Sequence, residues 1–180
     1  MKDKLTYRAK KEGYKARSVY KLKQINNKFK IIKKGDKVLD LGAWPGSWMQ
    51  YCQEKGADVL GVDLVKIKGE KFLQLDVTKE EIFSKIKGEF DVVLSDLSAK
   101  TTGIKHLDEG RSVDLAFRAL EIAKAFLKPK GNFVCKVFMS EEVKDLIKEI
   151  KDRFDFVKVY KPGASKKRSK EIYIIGKRKR

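Results

Sequence analysis

The chain has 180 residues, 42% of them hydrophobic and 38% charged, with 43 basic against 25 acidic side chains and a net charge of +18. That length suits one domain spanning 1–180, and the apolar share excludes wholesale disorder. No stretch approaches the ~20 apolar residues of a membrane span, Met1–Lys11 is polar with no signal-peptide core, and two cysteines, Cys52 and Cys135, cannot make a disulfide framework or a four-thiolate zinc site. A reducing cytoplasm is the expected setting. Residues 1–34 hold 13 basic and 2 acidic side chains, and 161–180 hold 9 basic and 1 acidic, whereas 35–160 is nearly neutral. Two basic ends brought together by the fold would form the electrostatic footprint of a phosphate-backbone binder. A membrane surface fits less well, because no basic helix carries a bulky apolar face.

In chain order, Leu22, Ile25 and Phe29 mark a helical face, so the basic segment 1–34 is helical, with a helix over Ser18–Asn27. Strands are expected at Lys37–Leu41, Asp58–Asp63, Phe72–Leu75, Phe90–Ser95, Asn132–Phe138, Phe154–Tyr160 and Glu171–Ile175. Helices are expected at Ser47–Lys55, Lys79–Lys87, Ser112–Leu127 and Glu141–Arg153. Ser140 reads as an N-cap, and Pro129 with Gly131 reads as the close of the preceding helix. Ser98–Gly110 reads as a long polar loop, and Lys177–Arg180 as a basic tail. The alternation implies an α/β fold with a mostly parallel seven-stranded sheet. Only about ten residues join the last two strands, too few for a parallel crossover, so the final strand should run antiparallel.

The sharpest local motif is Asp40-Leu41-Gly42-Ala43-Trp44-Pro45-Gly46-Ser47-Trp48, a strand entering a glycine turn and then a helix. Its spacing is neither GxGxxG nor a Walker A loop. Asp63 ends the next strand, placed for ribose hydroxyls. With Asp76 and Asp96 it completes a series of four acids near the C-terminal ends of successive strands, the edge where open α/β sheets bind ligands. A single aspartate there is usually a turn residue; four suit a nucleoside sulfonium, which offers hydroxyls, amines and a positive sulfur. Lys136 stands inside the apolar run Phe133–Phe138. It either snorkels to water or is a paired or deprotonated amine. His106, the single histidine, lies in the loop and gives histidine triads or metal clusters little support. The segment Lys161–Tyr173 sets one acid, Glu171, at the head of an apolar strand after a run of cations.

From about Arg17 to Gly176 the sequence resembles the FtsJ (RrmJ-type) family of RNA ribose 2′-O-methyltransferases. Five motifs carry the resemblance in order: Arg17–Leu22, Asp40–Gly46, Ser95-Asp96-Leu97, Phe133–Phe138, and the Ala164–Glu171 pattern. The resemblance implies a Rossmann-like class I methyltransferase fold and a catalytic tetrad of Lys21, Asp96, Lys136 and Glu171. It also implies S-adenosylmethionine bound through Gly42, Gly46, Trp48, Asp63, Asp76 and Asp96. The implied substrate is a uridine ribose of large-subunit ribosomal RNA, with ribosomal RNA or the large ribosomal subunit as partner, and with neither a metal nor a membrane. The chain is expected to act as a monomer. Transfer RNA is an alternative substrate, and a non-catalytic RNA-binding assembly factor an alternative role; a complete tetrad argues against the latter. The chain departs from the family pattern at Trp44, where a small residue is usual, at Ser47, where a second glycine is common, and at Leu97-Ser98-Ala99, where Ala-Pro often follows the aspartate.

Overall fold

In a computed structural model, which describes residues 4–180, seven strands make one sheet. Lys2, at the start of the basic segment, lies outside those residues. The strands are β1 (Lys37–Leu41), β2 (Asp58–Asp63), β3 (Phe72–Gln74), β4 (Phe90–Ser95), β5 (Leu127–Phe138), β6 (Phe154–Tyr160) and β7 (Glu171–Lys179). Their spatial order is β3-β2-β1-β4-β5-β7-β6. All neighbours pair in parallel except β7, which inserts antiparallel between β5 and β6. The expected Rossmann-like α/β sheet with a reversed last strand is therefore what forms.

The helices are α1 (Lys4–Lys11), α2 (Val19–Phe29), α3 (Ser47–Glu54), α4 (Glu81–Lys85), α5 (Lys105–Phe126) and α6 (Val143–Lys151). Alternating strand positions face two separate cores. Val38, Val92, Leu94, Val134, Tyr173 and Ile175 pack with α1, α2 and α3. Leu39, Leu41, Val93, Phe133, Cys135 and Ile174 pack with α4, α5 and α6. Both faces are covered, so the central strands read as continuous apolar runs. The strand order reverses between β1 and β4, and a sheet of this kind opens a crevice at such a point beyond the strands' C-terminal ends.

Several boundaries differ from the sequence expectations for identifiable reasons. Helix α5 begins at Lys105, taking in His106 and the second part of the expected loop, up to Gly110. Asp108 fastens its start by accepting hydrogen bonds from the Thr102 amide (2.7 Å), the Thr102 hydroxyl (2.8 Å) and the Gly103 amide (3.2 Å). At its other end α5 stops at Phe126, before Pro129 and Gly131, which lie within the irregular first part of β5. Ser140 does not cap α6: that helix starts at Val143 behind Glu142, and the Ser140 hydroxyl is buried without a partner. The expected tail is strand: Lys177 and Lys179 stand opposite Phe156 and Phe154 of β6. The Lys179 amine donates to the carbonyls of Lys124 (2.8 Å) and Leu127 (2.6 Å), and Lys177 to that of Phe29 (2.6 Å). Cations thus satisfy the last carbonyls of α5 and α2, where the helix dipole favours positive charge.

Candidate active site

A cavity of about 820 Å³ opens at the β1/β4 switch point, the size of a pocket for a large small-molecule ligand. Gly42, Asp63, Asp76 and Asp96 line it as expected, joined by Trp44, Leu64, Leu75, Leu97, Arg111 and Asp114 among others. Gly42 sits at φ 76°, and a Cβ there would come within 3.0 Å of the Leu97 backbone, so the turn's shape requires glycine. Asp63 ties two loops together by accepting the amides of Trp44 (2.9 Å) and Val65 (3.0 Å). Each of its oxygens keeps a lone pair for a hydroxyl. Asp76 accepts the Thr78 hydroxyl (2.7 Å) and amide (2.9 Å), and these bonds, the hydroxyl's foremost, hold its carboxyl below the usual range. Asp40 departs from the expected series. It is fully buried on the α3 side, neither oxygen has a partner, and it does not line the cavity. Burial, reinforced by the charges of Asp96 and Asp63, pushes its carboxyl well above the carboxylate range.

Beside this cavity the four tetrad positions meet as two ion pairs. Nζ of Lys136 lies 3.2 Å from Asp96 Oδ1 and donates to the Asp96 carbonyl at 2.9 Å. Nζ of Lys21 lies 2.7 Å from Glu171 Oε1. Antiparallel pairing puts Tyr173 directly across from Lys136, and Glu171 two residues away on the same face of β7. The Tyr173 hydroxyl donates to Asp96 Oδ1 at 2.9 Å. Burial first, then the charges of Asp96 and Glu171, raise its pKa well above the phenol value, so it stays a donor.

Long-range contacts bring Lys21 and Glu171 together. Ser18, just before α2, is bonded to Ser47 (2.8 Å), and its carbonyl accepts the Trp48 indole N–H (2.9 Å). The connection before β7 is held to α2 at Ala164, whose carbonyl accepts Arg17 (2.6 Å) and whose amide donates to Gln24 (3.0 Å). Ser165 then donates to Glu171 at 2.9 Å. A second cavity, about 260 Å³, opens beside this pair and is lined by Arg17, Ser18, Lys21, Lys166, Ser169 and Glu171. Of the expected cofactor residues, Gly46 and Trp48 are not in the wall of the large cavity. Trp48 is buried, with its ring 5.9 Å from that of Tyr173.

The model of the FtsJ-like methyltransferases matches residues 14–179. The chain belongs to that family. Within it, this FtsJ-like chain is 48% identical over 187 residues to "Ribosomal RNA large subunit methyltransferase E" of Archaeoglobus fulgidus, covering 99% of this chain and 98% of the relative. It is also 48% identical over 185 residues to the protein of the same name from Methanothrix thermoacetophila, covering 98% and 72%. Among solved structures it is similar to a ribosomal RNA methyltransferase of Plasmodium falciparum, at 25% identity and a TM-score of 0.78, covering 92% and 98%. S-adenosylmethionine is the cofactor of such a methyltransferase. The cavity suits it: carboxylates stand ready for ribose hydroxyls and amines, Leu64, Leu75 and Leu97 give apolar walls, and the Gly42 turn lets backbone come close.

Tyr173 is the site residue that sequence reasoning missed. Its strand was legible, but the acceptors of its hydroxyl are Asp96, just after β4, and Glu171 at its own strand's start. Trp44, marked only as a departure from the family pattern, stands 58% exposed at the cavity mouth.

Proposed function

We propose that this chain is an S-adenosylmethionine-dependent RNA ribose 2′-O-methyltransferase whose substrate is large-subunit ribosomal RNA, at a uridine, with Lys21, Asp96, Lys136 and Glu171 as its reactive cluster. One observation carries the reading. Asp96 belongs to the wall of the large cavity and also pairs with Lys136 at 3.2 Å, so a buried amine stands at the edge of the donor site. The names of the curated relatives support the ribosomal substrate.

When bound, S-adenosylmethionine supplies an electrophilic methyl group on a sulfonium. The chain's own residues must hold the ribose in line and take a proton from a weakly acidic hydroxyl. Orientation alone can be worth roughly 7–11 kcal/mol. In its neutral form Lys136 accepts the 2′-hydroxyl proton at Nζ, and the ammonium so formed is paired with Asp96. The Tyr173 hydroxyl donates to the same Asp96 oxygen and so helps to fix the carboxylate against the amine. Lys21 and Glu171 neutralise each other at 2.7 Å beside the smaller cavity, where Arg17 and Lys166 offer cations to the flanking phosphate.

The test is methyl transfer from labelled donor to intact large subunits, free ribosomal RNA and transfer RNA, followed by nucleoside analysis. Label on a uridine 2′-oxygen of large-subunit RNA is the expected result. Label on transfer RNA instead would change the substrate, and no label on any of them would leave a binding protein.

A further inference from the structure

Away from the reactive cluster, on the same face of the sheet, the C-terminal end of α2 meets the edge strand β6. A shallow cleft of about 200 Å³ lies there between Lys28, Phe29, Phe156, Lys177 and Arg178. Its aromatic members form a chain, with Phe29 6.3 Å from Phe156 and 5.3 Å from Tyr160. Nζ of Lys28 stands 4.7 Å from the Tyr160 ring. Phe156 is 38% exposed on an outermost strand, where an apolar ring gains nothing from the fold by facing water.

The charge of this corner is one-sided. Lys177 caps the end of α2, which accounts for one cation. Lys28 and Arg178 remain at the surface around the cleft, and Lys33 is close enough for its charge to be felt at Lys177. Burial above all, then the charges of Arg178 and Lys33, lowers the Lys177 pKa. Asp155 is the carboxylate that answers, 3.4 Å from Arg178, and it is shared with Lys130 and Arg180. Crowded like charges cost stability that a polyanion recovers.

We propose that the Phe156 cleft is a second RNA subsite, in which the base of a nucleotide flanking the target stacks on the Phe156 ring while Lys28 and Arg178 hold its phosphates. A cationic groove with aromatic platforms is the chemistry that binds single-stranded nucleic acid without reading its sequence. The geometry sets a reach. Tyr173 and Lys177 are four residues apart on one strand, about 13 Å at ~3.3 Å per residue. Lys21 and Phe29 are eight residues apart on α2, about 12 Å at 1.5 Å per residue. At roughly 3.4 Å per stacked nucleotide, the subsite lies about four nucleotides from the reacting ribose. This inference rests on the RNA-methyltransferase reading above.

The experiment compares the binding of twelve-nucleotide and three-nucleotide oligouridylates by fluorescence anisotropy. Phe156→Ala should weaken the longer RNA roughly 5- to 100-fold and leave the shorter unchanged, while Phe156→Tyr keeps near-normal affinity. Lys28→Glu with Arg178→Glu should weaken the longer RNA too, flattening its log–log salt slope by about 1.4. Melting temperature and S-adenosylmethionine affinity, measured on each variant, should stay near those of the unaltered protein. Longer-RNA affinity within twofold of normal in Phe156→Ala, or equal losses in the Ala and Tyr variants, overturns the subsite. If the unaltered protein binds neither RNA and methylates none, the functional reading falls with it.

Discussion

The Tyr173 hydroxyl donates to Asp96 Oδ1 at 2.9 Å, and that same oxygen is the one paired with Lys136. The phenol therefore touches the acid that holds the lysine and is a positioning residue. Tyr173→Phe keeps the ring against Trp48 and removes only the donor. A hydrogen bond to a charged group contributes about 1.5–3 kcal/mol. Single-turnover methyl transfer should fall roughly 10- to 100-fold, while the affinities for S-adenosylmethionine and RNA stay within a few-fold of normal. A purely structural role would lower the melting temperature and both affinities together.

Lys136 carries the heavier expectation. General-base catalysis is worth about 10²–10⁴-fold, so Lys136→Ala should lose at least that much in kcat, while S-adenosylmethionine affinity by calorimetry changes only a few-fold. Lys136→Arg separates two roles, since arginine keeps its proton. An arginine variant as inactive as alanine supports the base; one that retains a tenth or more of the rate makes the residue a charged guide for the hydroxyl.

These residues were not equally visible from sequence. Lys136 could be found because a lysine in an apolar strand is costly, and Asp63 because an acid after a strand is placed at the ligand edge. Tyr173 could not, since an aromatic among Ile172, Ile174 and Ile175 reads as core until the antiparallel pairing of β7 sets it against Lys136. Asp40 misled because its local pattern matches that of Asp63; the difference is that it is fully buried, close enough to Cys52 of α3 for its charge to be felt there. The residues after Gly176 look like a solvated tail, and the reason they are strand is tertiary: their amines cap helices α2 and α5, distant in sequence. Helix α1 was not delimited because its buried contact is a single residue, Ala9, in a lysine-rich run.

Lys21 and Glu171, both largely buried, form a pair whose halves should depend on each other. Removing one partner leaves an uncompensated charge, which typically costs about 3 kcal/mol or more. Glu171→Ala and Lys21→Ala should each lower unfolding stability, and the double variant should be more stable than their summed losses predict, with a coupling of about 1–3 kcal/mol. Methyl transfer in the double variant should stay low, because restoring charge balance does not restore the groups that face the RNA. Denaturant titration of the four proteins in the cycle measures the first part, and a methyl-transfer assay the second.

Asp40 should make stability depend on pH in a direction opposite to most carboxylates. Its folded pKa is raised, so the folded chain holds a proton that the unfolded chain releases above about pH 4. Its stabilising contribution is complete below that pH and is lost as the pH climbs toward the folded value, at about 1.4 kcal/mol per pH unit. Asn at the same position is neutral in both states. Asp40→Asn should therefore be more stable than the unaltered protein at pH 7, with the difference shrinking to near zero around pH 4. Paired denaturant titrations from pH 4 to pH 8 measure it. A difference that does not change with pH would mean that Asp40 is ionised in the folded protein.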